Sequence, residues 1–415
     1  MKILWVKAGK LVPLDSGGRI RSYHILKELT RRHEVNLFSY YVGRQDEAYE
    51  QEVLRHFPGA VVENIGAPED SLPGRLWGFL RRLPAPAPYT VTRFTDAKVQ
   101  HRIAGWFNER RFDVAVCDFL AVSLSFPKVL TIPTVLFQHN VESELWRRRA
   151  LEERNWLKRI IYQLEAAKMF RYESATVSRF PHVIAVSEQD RDLMAAMTDA
   201  LKITVVPTGV DLKKYRAAAG ASSTRSLVVF TGSMDWDPNI DGVEFFCREV
   251  WPQVRVRVPA AQFRIVGRNP HRRVQALASD SVEVTGTVPS VTEHLREAAV
   301  ITVPLRIGGG TRLKIYEAMA MGKAIVSTSI GAEGLEVHPD RAILLADDPE
   351  SFANLVVRLL RDLEFRQRIE KAAAELVTQY DWSVVSERFE EVLKRVVAGA
   401  ASATPVSAGV APMRA

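Results

Sequence analysis

The chain has 415 residues, 47% of them hydrophobic and 25% charged. That is the balance of a globular protein, and at roughly 100–200 residues per domain it is the length of two domains. A formal charge of +7 suits an anionic ligand or an anionic membrane surface, but the basic residues are dispersed and spell no nucleic-acid module, so no nucleic-acid partner is expected.

Read in chain order, the first apolar run, Ile3 to Val6, is far shorter than a signal-peptide core and predicts a buried first strand. Asp15-Ser16-Gly17-Gly18-Arg19 then joins this region to the helical stretch IRSYHILKELTRR. Its glycines offer a backbone-amide surface but do not form a G-x-G-x-x-G fingerprint, so nicotinamide or flavin is disfavoured and no cofactor is expected. EVNLFSYY, VAVCDF, TVLFQHN and HVIAVS follow as further strands between amphipathic stretches, the pattern of a parallel sheet with crossover helices. His139 ends one of them, where its imidazole can reach a cleft, with Glu142 three residues on. Cys117 and Cys247 have neither zinc nor disulfide spacing and fit a reducing cytoplasm.

The stretch LWRRRALEERNWLKRIIYQLEAAKMF mixes Trp146 and Trp156 with Arg147, Arg148, Arg149, Lys158 and Arg159, and GRLWGFLRRL does so again around Trp77 and Arg81. Peripheral membrane contact is one reading. The other is that Leu157, Ile160, Ile161 and Leu164 face the domain core.

The same alternation restarts after a boundary expected near Thr198 to Val206, giving a first domain over residues 1–200 and a second over 201–382. SLVVFTGS ends in Gly232, and Asp235-Trp236-Asp237 spells D-x-D. Two such carboxylates can hold a divalent ion with substrate phosphates, but Pro238 and Asn239 read instead as a turn into a helix, and no metal site is expected. IVGRNP brings Arg268 to a strand end. Gly308, Gly309 and Gly310 follow VPLRI and precede Thr311, Arg312, Lys314 and Glu317. Consecutive glycines after a strand let backbone amides approach an anion, and the next helix turns its positive end the same way. Glu317, about two turns in, is placed to accept hydrogen bonds from vicinal hydroxyls. Phe352, Leu355, Val356, Leu359, Leu360 and Leu363 predict one packed helix, Val385 to Val397 a last helix returning to the first domain, and residues 398–415 a disordered tail.

In order and spacing, SGGRIRSYHILKEL, FQHNVE, VIAVSEQD, VVPTGVD, FTGSMDWDPN, TGTV and the glycine segment resemble the family 4, or group 1, glycosyltransferases. The resemblance covers most of the chain and implies a GT-B fold, two facing Rossmann-like α/β domains with a cleft between them. It implies a nucleotide-sugar donor held by Glu317 at the ribose, by the Gly310 and Thr311 backbone at the diphosphate, and by main-chain groups around Thr287 and Val288 at the base. It further implies that the Gly17-Gly18 loop closes over the reacting sugar with His139, assisted by Glu142.

Two departures stand out. Gly309 occupies a position where many relatives carry a glutamate that contacts the sugar. The stretch after SLVVFTGS lacks the Arg and Lys that many relatives aim at the donor phosphates, leaving Arg268, Arg312 and Lys314 as replacements. The expected activity is transfer of a sugar, with retention, to a glycan or lipid-linked acceptor, without a metal, in bacterial polysaccharide or glycolipid synthesis at the inner face of the cell membrane. The rivals are a GT-B sugar-nucleotide epimerase and a non-catalytic nucleotide-sugar-binding scaffold.

Overall fold

The apolar runs assemble into two parallel sheets. The structure, a computed structural model, describes residues 1–66, 85–153, 155–219, 225–308 and 312–403. The first sheet contains β1 (Lys2–Ala8), β2 (Glu34–Tyr41), β3 (Val61–Asn64), β4 (Val114–Asp118), β5 (Thr134–Phe137), β6 (His182–Ala185) and β7 (Ile203–Val205), in the order β3-β2-β1-β4-β5-β6-β7. The second contains β8 (Leu227–Thr231), β9 (Gln262–Val266), β10 (Val282–Gly286), β11 (Val300–Val303), β12 (Ala324–Ser327) and β13 (Leu344–Leu345), in the order β10-β9-β8-β11-β12-β13. TVLF and VAVCD are buried throughout, and VAVCD is apolar up to its closing aspartate, because helices cover both faces of each sheet.

Strand order reverses between β1 and β4 in one sheet and between β8 and β11 in the other. Crossovers leave in opposite directions at such a point, opening a crevice beyond the carboxyl ends of the strands. The helices that frame the two crevices are α1 (Gly17–Leu29), α2 (Glu142–Glu152), α3 (Trp156–Arg179), α4 (Asp237–Phe245) and α5 (Leu313–Ala320); α6 (Pro349–Arg361), α7 (Leu363–Leu376) and α8 (Trp382–Ala403) complete the chain's second half.

The chain passes between the domains twice, and the two crossings lie side by side. Val210 N–H donates to the Tyr380 carbonyl at 2.8 Å, and Trp382 N–H donates to the Val210 carbonyl at 3.3 Å. Gly209 is required there, since a Cβ would stand 2.5 Å from the Trp382 ring. Beyond the crossing α8 packs onto the first sheet, with Phe389 against Trp5 and Phe137 at centroid distances of 5.4 and 5.1 Å. Burying a phenylalanine side chain of this kind contributes about 1.5–3 kcal/mol, which ties the chain's end to its beginning.

Four expectations are corrected. β7 pairs in parallel with β6, Val183 opposite Ile203, so the first sheet takes in residues assigned to the second domain; an isolated three-residue strand carries no local mark of the sheet it joins. The helix expected to include Leu363 stops at Arg361, because the Asp362 carboxylate caps the first turn of α7 by accepting from Phe365 N–H at 2.8 Å. Helix α8 runs on to Ala403, through residues read as tail: AGAASA has no apolar period, but alanine is the strongest helix former. Residues 404–415 lie outside the described ones. Finally, of the two readings of the basic stretch the core-facing one is corrected: Leu157, Ile160 and Leu164 are exposed and only Ile161 is half-buried, while α3 buries Glu165, Met169, Glu173, Thr176 and Val177. Trp77 and Arg81 lie outside the described residues.

Candidate active site

Between the two crevices is a cleft of about 990 Å³ lined from both domains, and it gathers Gly17, Gly18, His139, Glu142, Gly232, Arg268, Arg312, Lys314 and Glu317. The two helices entering it face each other. An added Cβ on Gly17, the first residue of α1, would lie 4.0 Å from Leu313, the first residue of α5. Both N-termini carry partial positive charge into one space.

On the first-domain wall, His139 follows β5 and is 7% exposed. Its Nε2 lies 2.6 Å from Asp118 Oδ1, while its Nδ1 has no hydrogen-bond partner among the described residues. Asp118 ends β4 and also accepts from Trp5 Nε1 at 2.9 Å and Lys7 Nζ at 3.1 Å. Burial alone would raise the Asp118 pKa, but Lys7 and the bond from His139 outweigh it and hold the carboxyl well below its usual range. Burial also lowers His139 to about 4, against the pull of Asp118. The imidazole is therefore neutral near pH 7. Since the carboxylate can only accept, Nε2 carries the proton and Nδ1 is left as an acceptor. Phe119, with a φ of +86°, turns the chain directly after Asp118 and sets its ring 5.3 Å from that of His139. A bulky residue in that region is strained, and such strain collects at working sites.

Arg21 of α1 is buried beneath this wall and donates to Thr208 Oγ1 at 3.2 Å and to the His139 carbonyl at 3.3 Å. Glu142 opens α2, whose first amides are held by the buried Glu173 carboxylate at 2.9 Å. Burial, followed by the charge of Glu173, raises Glu142 to about 7.

On the second-domain wall, Lys314 Nζ donates to Asn239 Oδ1 at 3.2 Å and lies 4.2 Å from the centre of the Phe230 ring. Desolvation of this ammonium, then repulsion from Arg312, lowers it to about 7. A Cβ on Gly232 would come within 3.0 Å of Lys314 Nζ and 2.6 Å of Asn239 Nδ2, so only glycine brings backbone this close to the cation. Buried Arg312 stacks over Trp236 at 5.5 Å, and Arg268 Nε donates to Ser233 Oγ at 2.9 Å. Asp235 of the D-x-D accepts from Ser233 Oγ at 2.6 Å and Asn269 Nδ2 at 3.1 Å, and Asp237 is the first residue of α4. Glu317 lies one turn into α5 rather than two, because the helix begins only at Leu313, and its charge opposes ionisation of the neighbouring Tyr215 hydroxyl, whose pKa is raised first by burial and then by Glu317.

Thr287 and Val288 follow edge strand β10 and are not among the residues lining the cleft; Val288 packs against the second-domain core instead. Gly309, Gly310 and Thr311 lie outside the described residues, and Gly308 before them has a φ of +100°. Sequence reasoning passed over Asp118 and Lys7, and read Asn239 only as part of a turn into a helix. The signal for the first two was a charged residue closing an otherwise apolar strand, in VAVCD and ILWVK. Arg148, read with the basic helix, is in fact an interdomain residue: it pairs with Glu333 at 2.8 and 2.9 Å and donates to the Gly308 carbonyl at 3.2 Å.

Two doubly wound parallel sheets facing across a shared cleft define a GT-B architecture. The description Glycosyltransferase Family 4 matches residues 16–214, and Glycosyl transferases group 1 matches residues 225–362. The chain belongs to this family and is a glycosyltransferase. It is similar to the phosphatidyl-myo-inositol mannosyltransferase of Mycobacterium leprae, at 26% identity over 348 residues, covering 80% of this chain and 86% of that one. It matches the enzyme of the same name from Mycolicibacterium smegmatis at 29% identity over 225 residues, 51% of this chain and only 57% of the relative. In fold it resembles Anabaena Alr3699/HepE, solved in complex with UDP, with a TM-score of 0.67 at 16% identity over 95% of this chain and 100% of that one. Sucrose-phosphate synthase from Thermosynechococcus elongatus gives a TM-score of 0.68 at 17% identity over 96% and 99%.

Proposed function

We propose that the protein moves a sugar from a nucleoside-diphosphate-sugar donor to an acceptor hydroxyl, with retention and without a metal. The acceptor is a glycolipid or lipid-linked glycan of bacterial surface assembly, met at the inner face of the cell membrane. The observation that carries this reading is the pairing, in one cleft, of a cationic second-domain wall with a buried neutral imidazole opposite it. A leaving nucleoside diphosphate gathers negative charge, and Lys314, Arg312, Arg268 and the α5 N-terminus are positioned to stabilise it. The C1–O bond to phosphate breaks, the acceptor oxygen bonds C1 on the same face, and the acceptor proton passes to the departing phosphate oxygen. His139 Nδ1 accepts from a hydroxyl of the transferred sugar and orients it, and Glu317 accepts from the ribose hydroxyls. The lipid acceptors named for the mycobacterial mannosyltransferases and the UDP bound by the Anabaena protein support the substrate classes.

Thermal-shift screening with UDP, GDP, dTDP and ADP sugars tests the donor, because a ligand bound only by the folded state raises the melting temperature. The expected result is a shift with one nucleotide series, release of free nucleoside diphosphate once a lipid extract is added, and loss of both in Glu317→Ala. Normal donor binding and turnover by that variant, or an epimerised nucleotide sugar in place of free diphosphate, would overturn the reading.

A further inference from the structure

Helix α3 carries an apolar stripe that the fold leaves uncovered. Trp156, Ile160 and Phe170 recur along one line of the helix with Leu157 and Leu164 beside them, and they are 68%, 47%, 50%, 54% and 53% exposed. Leu151, near the end of α2, adds a further exposed side chain at 58%. A single exposed leucine is ordinary, but large apolar side chains contiguous on one face mark an interaction surface. Fraying does not explain them. The helix is held beneath the stripe: Tyr162 packs edge-on against Trp146 of α2 at a centroid distance of 5.8 Å, and Met169, two turns on, is wholly buried.

The surroundings of the stripe identify what covers it. Arg149, Arg159 and Arg171 are exposed around it. Among the described side chains the nearby carboxylates are engaged: Glu144 by Arg147 and Arg148, Glu165 by Lys168, and Glu153 by the Asn155 backbone N–H. A symmetric pair of copies would set this cationic rim against itself, whereas an anionic lipid surface complements both rim and stripe.

We propose that the α2–α3 hairpin docks on an anionic membrane. Trp156, Leu157, Ile160 and Leu164 enter the headgroup layer, while Arg159 and Arg171 meet lipid phosphates. Helix α2 begins at the cleft with Glu142 and has 11 residues, so at about 1.5 Å per residue the docked tip lies roughly 15 Å from the cleft wall. Docking would thus hold the cleft wall within about 15 Å of the membrane surface, a purpose that rests on the lipid-acceptor reading, although the docking itself does not.

The test is flotation of the full chain with phosphatidylcholine vesicles with and without phosphatidylglycerol, beside the variants Trp156→Ser/Ile160→Ser and Arg159→Glu/Arg171→Glu. All four residues are exposed, so the melting temperature and any nucleotide-induced shift should not change. The expected result is recovery with anionic vesicles, much weaker recovery with phosphatidylcholine alone, and a drop of at least about tenfold in each variant. Wild-type protein that stays out of anionic vesicles would overturn the proposal, as would variants that float like wild type. So would a concentration-dependent dimer that Trp156→Ser/Ile160→Ser dissociates, since the stripe would then cover a second copy. No arm measures sugar transfer, so failure here leaves the enzymatic reading intact, and the reverse also holds.

Discussion

Replacing Asp118 by asparagine separates what this carboxylate does for the fold from what it does for the site. Asp118 takes bonds from Trp5, Lys7 and His139 in a pocket where it is 1% exposed. Neutralising it strands the Lys7 ammonium, itself 6% exposed, and breaking a buried ion pair from one side costs about 3–5 kcal/mol. The amide also turns an N–H toward Nε2, which favours the tautomer with its proton on Nδ1 and converts the acceptor facing the sugar into a donor. Losing one oriented hydrogen bond and leaving a mismatched donor should lower kcat/KM by about tenfold to a hundredfold. Chemical denaturation and donor turnover should be measured for Asp118→Asn and for Asp118→Asn with Lys7→Met. The second change removes the stranded cation, so stability should largely return while activity stays low. Recovery of both together would show that Asp118 acts only through the fold, and full activity in the single variant would refute any role for His139 orientation.

Lys314, lowered to about 7 by desolvation, holds its charge below that pH and loses it above, so donor KM should rise as pH climbs through about 7. In Lys314→Arg, whose guanidinium stays protonated, initial-rate kinetics should show that alkaline limb flattened. Gly232→Ala places a methyl 2.6 Å from Asn239 Nδ2 and 3.0 Å from Lys314 Nζ. Displacing both should cost about 1–3 kcal/mol of stability and weaken donor binding by calorimetry. Arg148→Ala removes the interdomain pair with Glu333 and the bond to the Gly308 carbonyl. The paired side chains are 26% and 22% exposed, so stability should fall by no more than about 1 kcal/mol, while donor KM rises several-fold as the two walls of the cleft lose this tie.

What was legible in the sequence follows the reach of each interaction. Strand and helix alternation is local: Gly232 directly follows β8, and Gly17, Gly18, Lys314 and Glu317 stand in the opening turns of helices that follow strands, so with the family resemblance they could be assembled into one site before any coordinates. The role of Arg148 could not be read in this way. A run of three arginines looks alike whether it meets lipid, solvent or another domain, and only folding sends Arg148 to Glu333 while Arg147 stays on Glu144 and Arg149 covers Trp146. Asp118 and His139 are 21 residues apart and meet because β4 and β5 are neighbours ending at one level, a fact of sheet order rather than motif.

The cations missing from the stretch after β8 are the clearest case. Asn239, from the first turn of α4, holds Lys314 of α5 beside Gly232, so positive charge reaches the end of β8 from a different segment. A sequence pattern records which residue supplies a charge, whereas a diphosphate responds only to where the charge stands. The glycine at position 232 is what gives that borrowed ammonium room to stand there.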